Sequence, residues 1–190
     1  MASLVEIANQ ALLMLGQKQI ISLTEDSTAA RYCNGRLPYI RDTVLRAYPW
    51  NSAIRRATLA QSSDTPAWGY DYQYALPTDP LCLRVLEMKE CSDGGMDWKV
   101  EGRYILTDSQ TCNIKYIAQI TDPNEMEVLL REAIAAALAA DGCFSITGST
   151  AQQEAMLKIY EKKISEARSA DAQEGNPDTL IDDTFLDARL

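Results

Sequence analysis

The sequence predicts an α+β fold, and three observations predict it. Apolar residues recur at helical spacing in two stretches before residue 50 and in two more after residue 122. Between about 68 and 118 the period shortens to two, with turn residues at intervals. The helical and strand-like stretches are segregated rather than alternating, which argues against a parallel α/β sheet. The expected architecture packs amphipathic helices from the N- and C-terminal parts together, with a central antiparallel β meander. Residues 1–175 are expected to form a single domain, followed by a tail, 176–190.

The first helix is expected over 3–16. Ser3-Leu-Val-Glu6 is a capping-box pattern, Leu4, Ile7, Ala8, Ala11, Leu12 and Leu15 make one face, and Gly16 can end the helix. A connector with Ile20-Ile21 leads to the second helix, over 27–48. Asp26 or Ser27 supplies its cap, and Ala30, Cys33, Leu37, Ile40, Val44, Leu45 and Tyr48 line one face. Pro49 disfavours a helical backbone at Tyr48 and ends it. Pro38 removes the bond to the Asn34 carbonyl and clashes there, so a kink or break is expected between Asn34 and Pro38.

Trp50 to Leu59 shows no helical face and reads as a strand. Tyr70, Tyr72, Tyr74 and Leu76 alternate with polar or small residues, giving a strand with an aromatic face. After a turn at 77–80, Leu81 to Met88 is expected as a strand with Leu81, Leu83 and Val85 on one face. Trp98 to Val100, Tyr104 to Leu106 and Thr111 to Ile117 complete the meander, turning at Glu101-Gly102 and Asp108-Ser109. Asp122-Pro123-Asn-Glu125 reads as the start of a helix over 123–147 whose face is Met126, Leu129, Leu130, Ala133, Ile134, Ala137 and Leu138. Gly148 breaks the chain. Ser149 then caps a helix over 149–173, with Ala155, Met156, Ile159, Tyr160, Ile164 and Ala167 inward, forming an αα-hairpin.

Charge is unevenly placed. Residues 27–56 carry six arginines and one acid, a net +5, while the other 160 residues hold 12 bases and 26 acids, a net −14. A phosphate-binding stripe would be the obvious use. However, Arg31, Arg36, Arg41 and Arg46 are five apart, and each step turns about 140° round a helix, so they point in different directions. Such scatter suits pairing with acids on several neighbours, within the chain or across subunits, better than it suits a DNA backbone. The whole-chain net charge of −9 also disfavours nucleic acid binding by the surface at large.

Composition narrows the chemistry further. The chain has no histidine, which excludes histidine triads and histidine metal sites. Its five cysteines, Cys33, Cys82, Cys91, Cys112 and Cys143, are odd in number and lack a C-x-x-C, so reduced thiols in a cytosol are expected. The N-terminus lacks the pattern of a secretion signal, and no apolar run is long enough for a membrane span. Asp93 with Asp97, and Asp182 with Asp183, are the carboxylate pairs, but neighbours on one loop do not face each other across a glycosidic bond. No phosphate-binding glycine loop is present, and no cofactor or metal is expected.

One series of residues has a family order. It runs Arg36-Leu-Pro-Tyr-Ile-Arg-Asp42, Leu45-Arg-Ala-Tyr-Pro-Trp50, Ala53, Arg56-Ala57 and Leu59. It continues through Trp68-Gly-Tyr70, Tyr72-Gln-Tyr-Ala-Leu-Pro-Thr-Asp79, Leu83-Arg-Val85, Ile105-Leu-Thr-Asp108 and Lys115-Tyr-Ile117 into the two C-terminal helices. In order and spacing, over about nine-tenths of the chain, this resembles the tail tubular protein A family, the head-to-tail adaptors of short-tailed bacteriophages. Pro80-Leu81-Cys82 is longer than the family pattern and leaves the register of the first hairpin open.

The resemblance implies a structural virion protein of the tail, assembled in the host cytoplasm, with no catalysis. It implies a homo-oligomeric, dodecameric ring between portal protein and tail nozzle, with the tail fibre as a further candidate partner and DNA passing through the lumen without sequence-specific binding. Arg31, Arg36, Arg41 and Arg46 are the expected subunit contacts. The tail is expected to dock on a partner, the portal first, through Leu180, Ile181, Phe185 and Leu186. The alternatives are a nucleic-acid-binding module using the arginines of 31–56, or a carboxylate-dependent glycan hydrolase.

Overall fold

The computed structural model describes residues 2–89 and 97–174. Four helices, α1 (Leu4–Met14), α2 (Thr28–Ala47), α3 (Val128–Thr147) and α4 (Thr150–Gln173), accompany six strands. The strands are β1 (Ile54–Leu59), β2 (Tyr72–Ala75), β3 (Cys82–Lys89), β4 (Trp98–Glu101), β5 (Tyr104–Thr107) and β6 (Cys112–Ala118). The class is therefore α+β. No helix among the described residues is long and apolar enough to cross a membrane.

The local signals explain the helix ends. Ser3, Ser27 and Ser149 each accept a hydrogen bond from the backbone N–H three residues on, at Glu6, Ala30 and Gln152. Gly148 takes the left-handed conformation (φ 70°) that closes α3 and turns the chain into α4. Tyr48, ahead of Pro49, is extended and ends α2. No break occurs at Pro38: α2 runs unbroken from Thr28 to Ala47. Asn34 and Pro38 are both exposed, so water can satisfy the carbonyl that the proline deprives of its donor.

Two further helix expectations need correction. The helix expected over 123–147 is two pieces. Asp122 caps a 3-10 turn, Pro123–Glu125, and Met126 is then extended before Glu127 caps α3. Met126 is buried in the helical core, and its burial holds the break open. In α4 the inward stripe is Met156, Tyr160, Ile164, Ala167 and Asp171, while Ala155 and Ile159 face outward. The apolar residues of that helix alone did not define its buried face.

α3 is central. It packs against α1, α2 and α4, and its alanine-rich run is buried almost all round. The helices share one core, with Leu12, Leu37, Leu45, Trp50, Leu130, Ile134 and Leu138 at its heart.

The strands form two three-stranded sheets rather than a single meander. In one, β6 lies between β1 and β3; in the other, β5 lies between β2 and β4. β6 is apolar along one face, whereas the other carries Ile117 together with the polar Lys115 and Asn113. Its Cys112, Ile114, Tyr116 and Ala118 join a second core with Tyr74 and Ile105 of the β2–β5–β4 sheet and Leu76 just after β2, whereas Ile117 joins the helical core. The β1–β6–β3 sheet is thus the middle layer between the helices and the second sheet.

β3 departs from simple alternation. Its pairing with β6 shifts register between Cys82 and Arg84 and again between Val85 and Glu87. Two bulges convert the period from two to three. Cys82, Val85 and Met88 face the second core, and Leu83 and Leu86 face the helices, so Leu83 and Val85 do not share a face.

Candidate functional site

The arginines of α2 point in four directions, as their spacing requires, and each meets a different group. Arg31 lies 3.7 Å from Asp26, both well exposed. Arg36 reaches α3 and makes a two-pronged pair with Asp141, Nε to Oδ2 at 2.9 Å and Nη2 to Oδ1 at 2.7 Å. Tyr32, one turn earlier, also donates to Asp141 Oδ2. The Arg36 hydrogen bond holds the Asp141 carboxyl below its usual range, and burial leads the causes that push the Tyr32 phenol up.

Arg41 is only 6% exposed. Its guanidinium pairs with Asp42, 2.8 Å away, whose other oxygen accepts from Gln119 ahead of the 3-10 turn. A side chain so enclosed is not available to a neighbouring subunit or to DNA. Arg46 donates to the Leu83 carbonyl on β3 rather than to a carboxylate, because the first bulge of β3 falls beside it. Three of the four expected contact arginines therefore fasten α2 to itself, to α3 and to β3. The expected contacts Leu180, Ile181, Phe185 and Leu186 lie outside the described residues.

The other chemical candidates fall into the fabric of the fold. Tyr74 is buried and its hydroxyl donates to the Ser109 carbonyl; Tyr70 donates to Asp97. Cys33, Cys82, Cys112 and Cys143 are free and buried. Burial pushes Cys33 and Cys112 up to about 11, which keeps them as thiols rather than nucleophilic thiolates. Cys91 and Asp93 lie outside the described residues. Among the described residues, no group of three His, Cys, Asp or Glu side chains is placed to hold a metal.

A surface that the sequence alone did not reveal is built by strand register. On the helix-facing side of the β1–β6–β3 sheet, Ile117 packs into the helical core near its partner Ile54. Farther along the same face the helices no longer cover the sheet. There Arg56 lies opposite Lys115, and Lys115 opposite Glu87; in the next row Thr58 and Lys89 flank Asn113. These six side chains line an open depression of about 500 Å³. Thr58 donates to Asn113 Oδ1 at 2.7 Å. Arg56, Glu87, Lys89 and Lys115 have no ion-pair partner among the described residues, and all but half-buried Lys115 are exposed. Three cations against one acid form a positive face on an acidic chain, unpaired among the described residues. The sequence signal was polar alternation at Arg56-x-Thr58, Glu87-x-Lys89 and Asn113-x-Lys115; only pairing brings the three together.

Elsewhere the α3–α4 hairpin exposes Phe144, Leu157 and Ile159, and the segment before β2 exposes Trp68 at 87%. No protein-family model and no curated protein matches the chain.

Proposed function

We propose that the chain is a head-to-tail adaptor of a short-tailed bacteriophage, a structural subunit of a dodecameric ring between portal and tail nozzle around the DNA channel. The observation that carries this reading is where the family-ordered residues fall. Arg36 clamps α2 to α3 through Asp141. Trp50 is buried just after α2 and donates to the Val44 carbonyl. Tyr74, Leu76 and Ile105 build the second core, and Ile117 joins the first. The resembling positions are joints of the fold, which supports a shared architecture.

Two surface properties suit the reading. A ring closes by head-to-tail contacts, in which two unlike faces of one subunit meet. The chain has unlike exposed faces: the α3–α4 hairpin with Phe144, Leu157 and Ile159, and the segment before β2 with Trp68. A net charge of −9 also suits a channel through which DNA must slide, since cationic walls would retain phosphate. The arginines of 31–56 support the nucleic-acid alternative poorly, because Arg41 is enclosed and Arg36 and Arg46 are engaged within the chain.

The test uses heads packaged in the absence of this protein. They are expected to lose DNA and fail to accept tails, with both restored by adding the purified chain. Heads that keep their DNA and acquire tails without it would overturn the adaptor reading.

A further inference from the structure

The cationic face of the β1–β6–β3 sheet lies within reach of the chain's own acidic tail. We propose that this face, Arg56, Lys89 and Lys115 with Glu87 among them, is the docking site of residues 176–190 of the same chain. The assignment holds whether or not the chain is an adaptor.

The first support is where the tail leaves the fold. The C-terminal end of α4 is fixed beside the start of β1. The Asn51 backbone N–H donates to Asp171 Oδ1 at 2.9 Å, and the Asn51 amide donates to the Asp171 carbonyl at 2.7 Å. One turn earlier, the Arg168 guanidinium sits over the Tyr48 ring at 5.5 Å. The chain that continues past Gln173 therefore departs next to Asn51, three residues ahead of β1.

The second support is reach. From Asn51, Arg56 is at most roughly 17 Å away along the chain and Thr58 roughly 23 Å. Lys115 and Lys89 lie one and two strands across, about 5 and 10 Å farther. Residues 175–190 can span roughly 50 Å when extended, so each cation is accessible to the tail without any movement of α4.

The third support is charge. Residues 176–190 contain Asp178, Asp182, Asp183 and Asp187 against a single base, Arg189. The face offers the converse, three cations and one acid. Glu87 lies directly opposite Lys115 in the ladder and would repel a phosphate backbone, but it can accept a tail that carries Arg189. A peptide of mixed sign fits this face better than DNA does.

The test is carbodiimide cross-linking of the full-length chain, which joins a carboxylate to a lysine only where the two already meet. Unlabelled and ¹⁵N-labelled protein are mixed, and the linked peptides are identified by mass spectrometry. The expected result is links from Asp182, Asp183 or Asp187 to Lys89 or Lys115, within one isotope label. They should be about tenfold more frequent than links to the exposed Lys99 or Lys158. They should also fall about tenfold in ~0.5 M salt, where screening shortens to about 4 Å. Tail links spread evenly over the exposed lysines would overturn the proposal. So would links found only between differently labelled copies, which would place the tail on a second molecule. Binding of mixed-sequence duplex DNA that is lost in the Lys89→Gln/Lys115→Gln variant, with no tail links to the face, would give the face to nucleic acid instead.

Discussion

Gly142→Ala tests the packing of α2 against α3 at its tightest point. Gly142 is buried within α3, and a Cβ placed there would lie 2.4 Å from Tyr32 Cζ and 2.6 Å from its hydroxyl oxygen. Tyr32 cannot swing aside freely, because its hydroxyl is held between Asp141 Oδ2 at 2.8 Å and the Leu138 carbonyl at 2.9 Å. Displacing the ring gives up that shared, charge-assisted hydrogen bond, about 1.5 kcal/mol, and repacking the overfilled site adds about 1–2 kcal/mol. Alanine's better helix propensity returns about 1 kcal/mol. The net expectation is a loss of about 2 kcal/mol, read by urea or thermal unfolding as a Tm lowered by about 4–8 °C. A double-mutant cycle isolates the cause. In a Tyr32→Ala background the added methyl meets no ring, so Gly142→Ala should be neutral or stabilising by up to about 1 kcal/mol. Equal destabilisation in both backgrounds, or a fully stable Gly142→Ala in the parent, would refute the close contact.

Other substitutions probe the remaining links. Arg41→Ala should cost about 2 kcal/mol in denaturant unfolding, since it removes an enclosed pair and its packed stem, and it should leave any DNA affinity unchanged. Asp141 has its folded pKa lowered, first by the Arg36 hydrogen bond. Its contribution is therefore present above the ordinary carboxylate range and is lost as pH falls through the folded value; Arg36→Gln should flatten acid-side stability loss by urea titration at several pH values. Asp171 shows the opposite sign. Burial raises its pKa, so ionisation costs stability as pH rises through the folded value. Asp171→Asn should stabilise the protein near neutral pH and lose that advantage below pH ~4, where the parent carboxyl is protonated in both states. Phe144→Ser should change unfolding free energy by less than about 0.5 kcal/mol yet weaken subunit association in sedimentation, if the α3–α4 hairpin supplies a ring contact.

The helices were legible where the determinants are local. Ser3, Ser27 and Ser149 cap as their sequence contexts predict, and Gly148 closes α3, because each acts within four residues of itself. The errors lie where distant residues decide. Met126 interrupts the expected helix because the helical core holds its side chain. Asp171 is inward because Asn51, 120 residues away in sequence, donates to it. The strands were found, but their sheets were not: β6 pairs with β1 and β3 rather than with β5, and the two bulges of β3 change which of its residues face which core. The angular scatter of the α2 arginines was readable from spacing alone, whereas the Leu83 carbonyl that receives Arg46 depends on a bulge in another element. The cationic face was the least legible feature, since its six residues come from three strands and are polar without any motif.

The adaptor reading is tested most directly by the mass of the assembly that the purified chain forms with portal protein, measured by native mass spectrometry and compared with the chain alone. The account predicts a closed dodecameric ring of this 21.1 kDa subunit seated on the portal, whether or not the ring forms without it. A chain that remains monomeric beside assembled portal, with no complex at micromolar concentration, would contradict it.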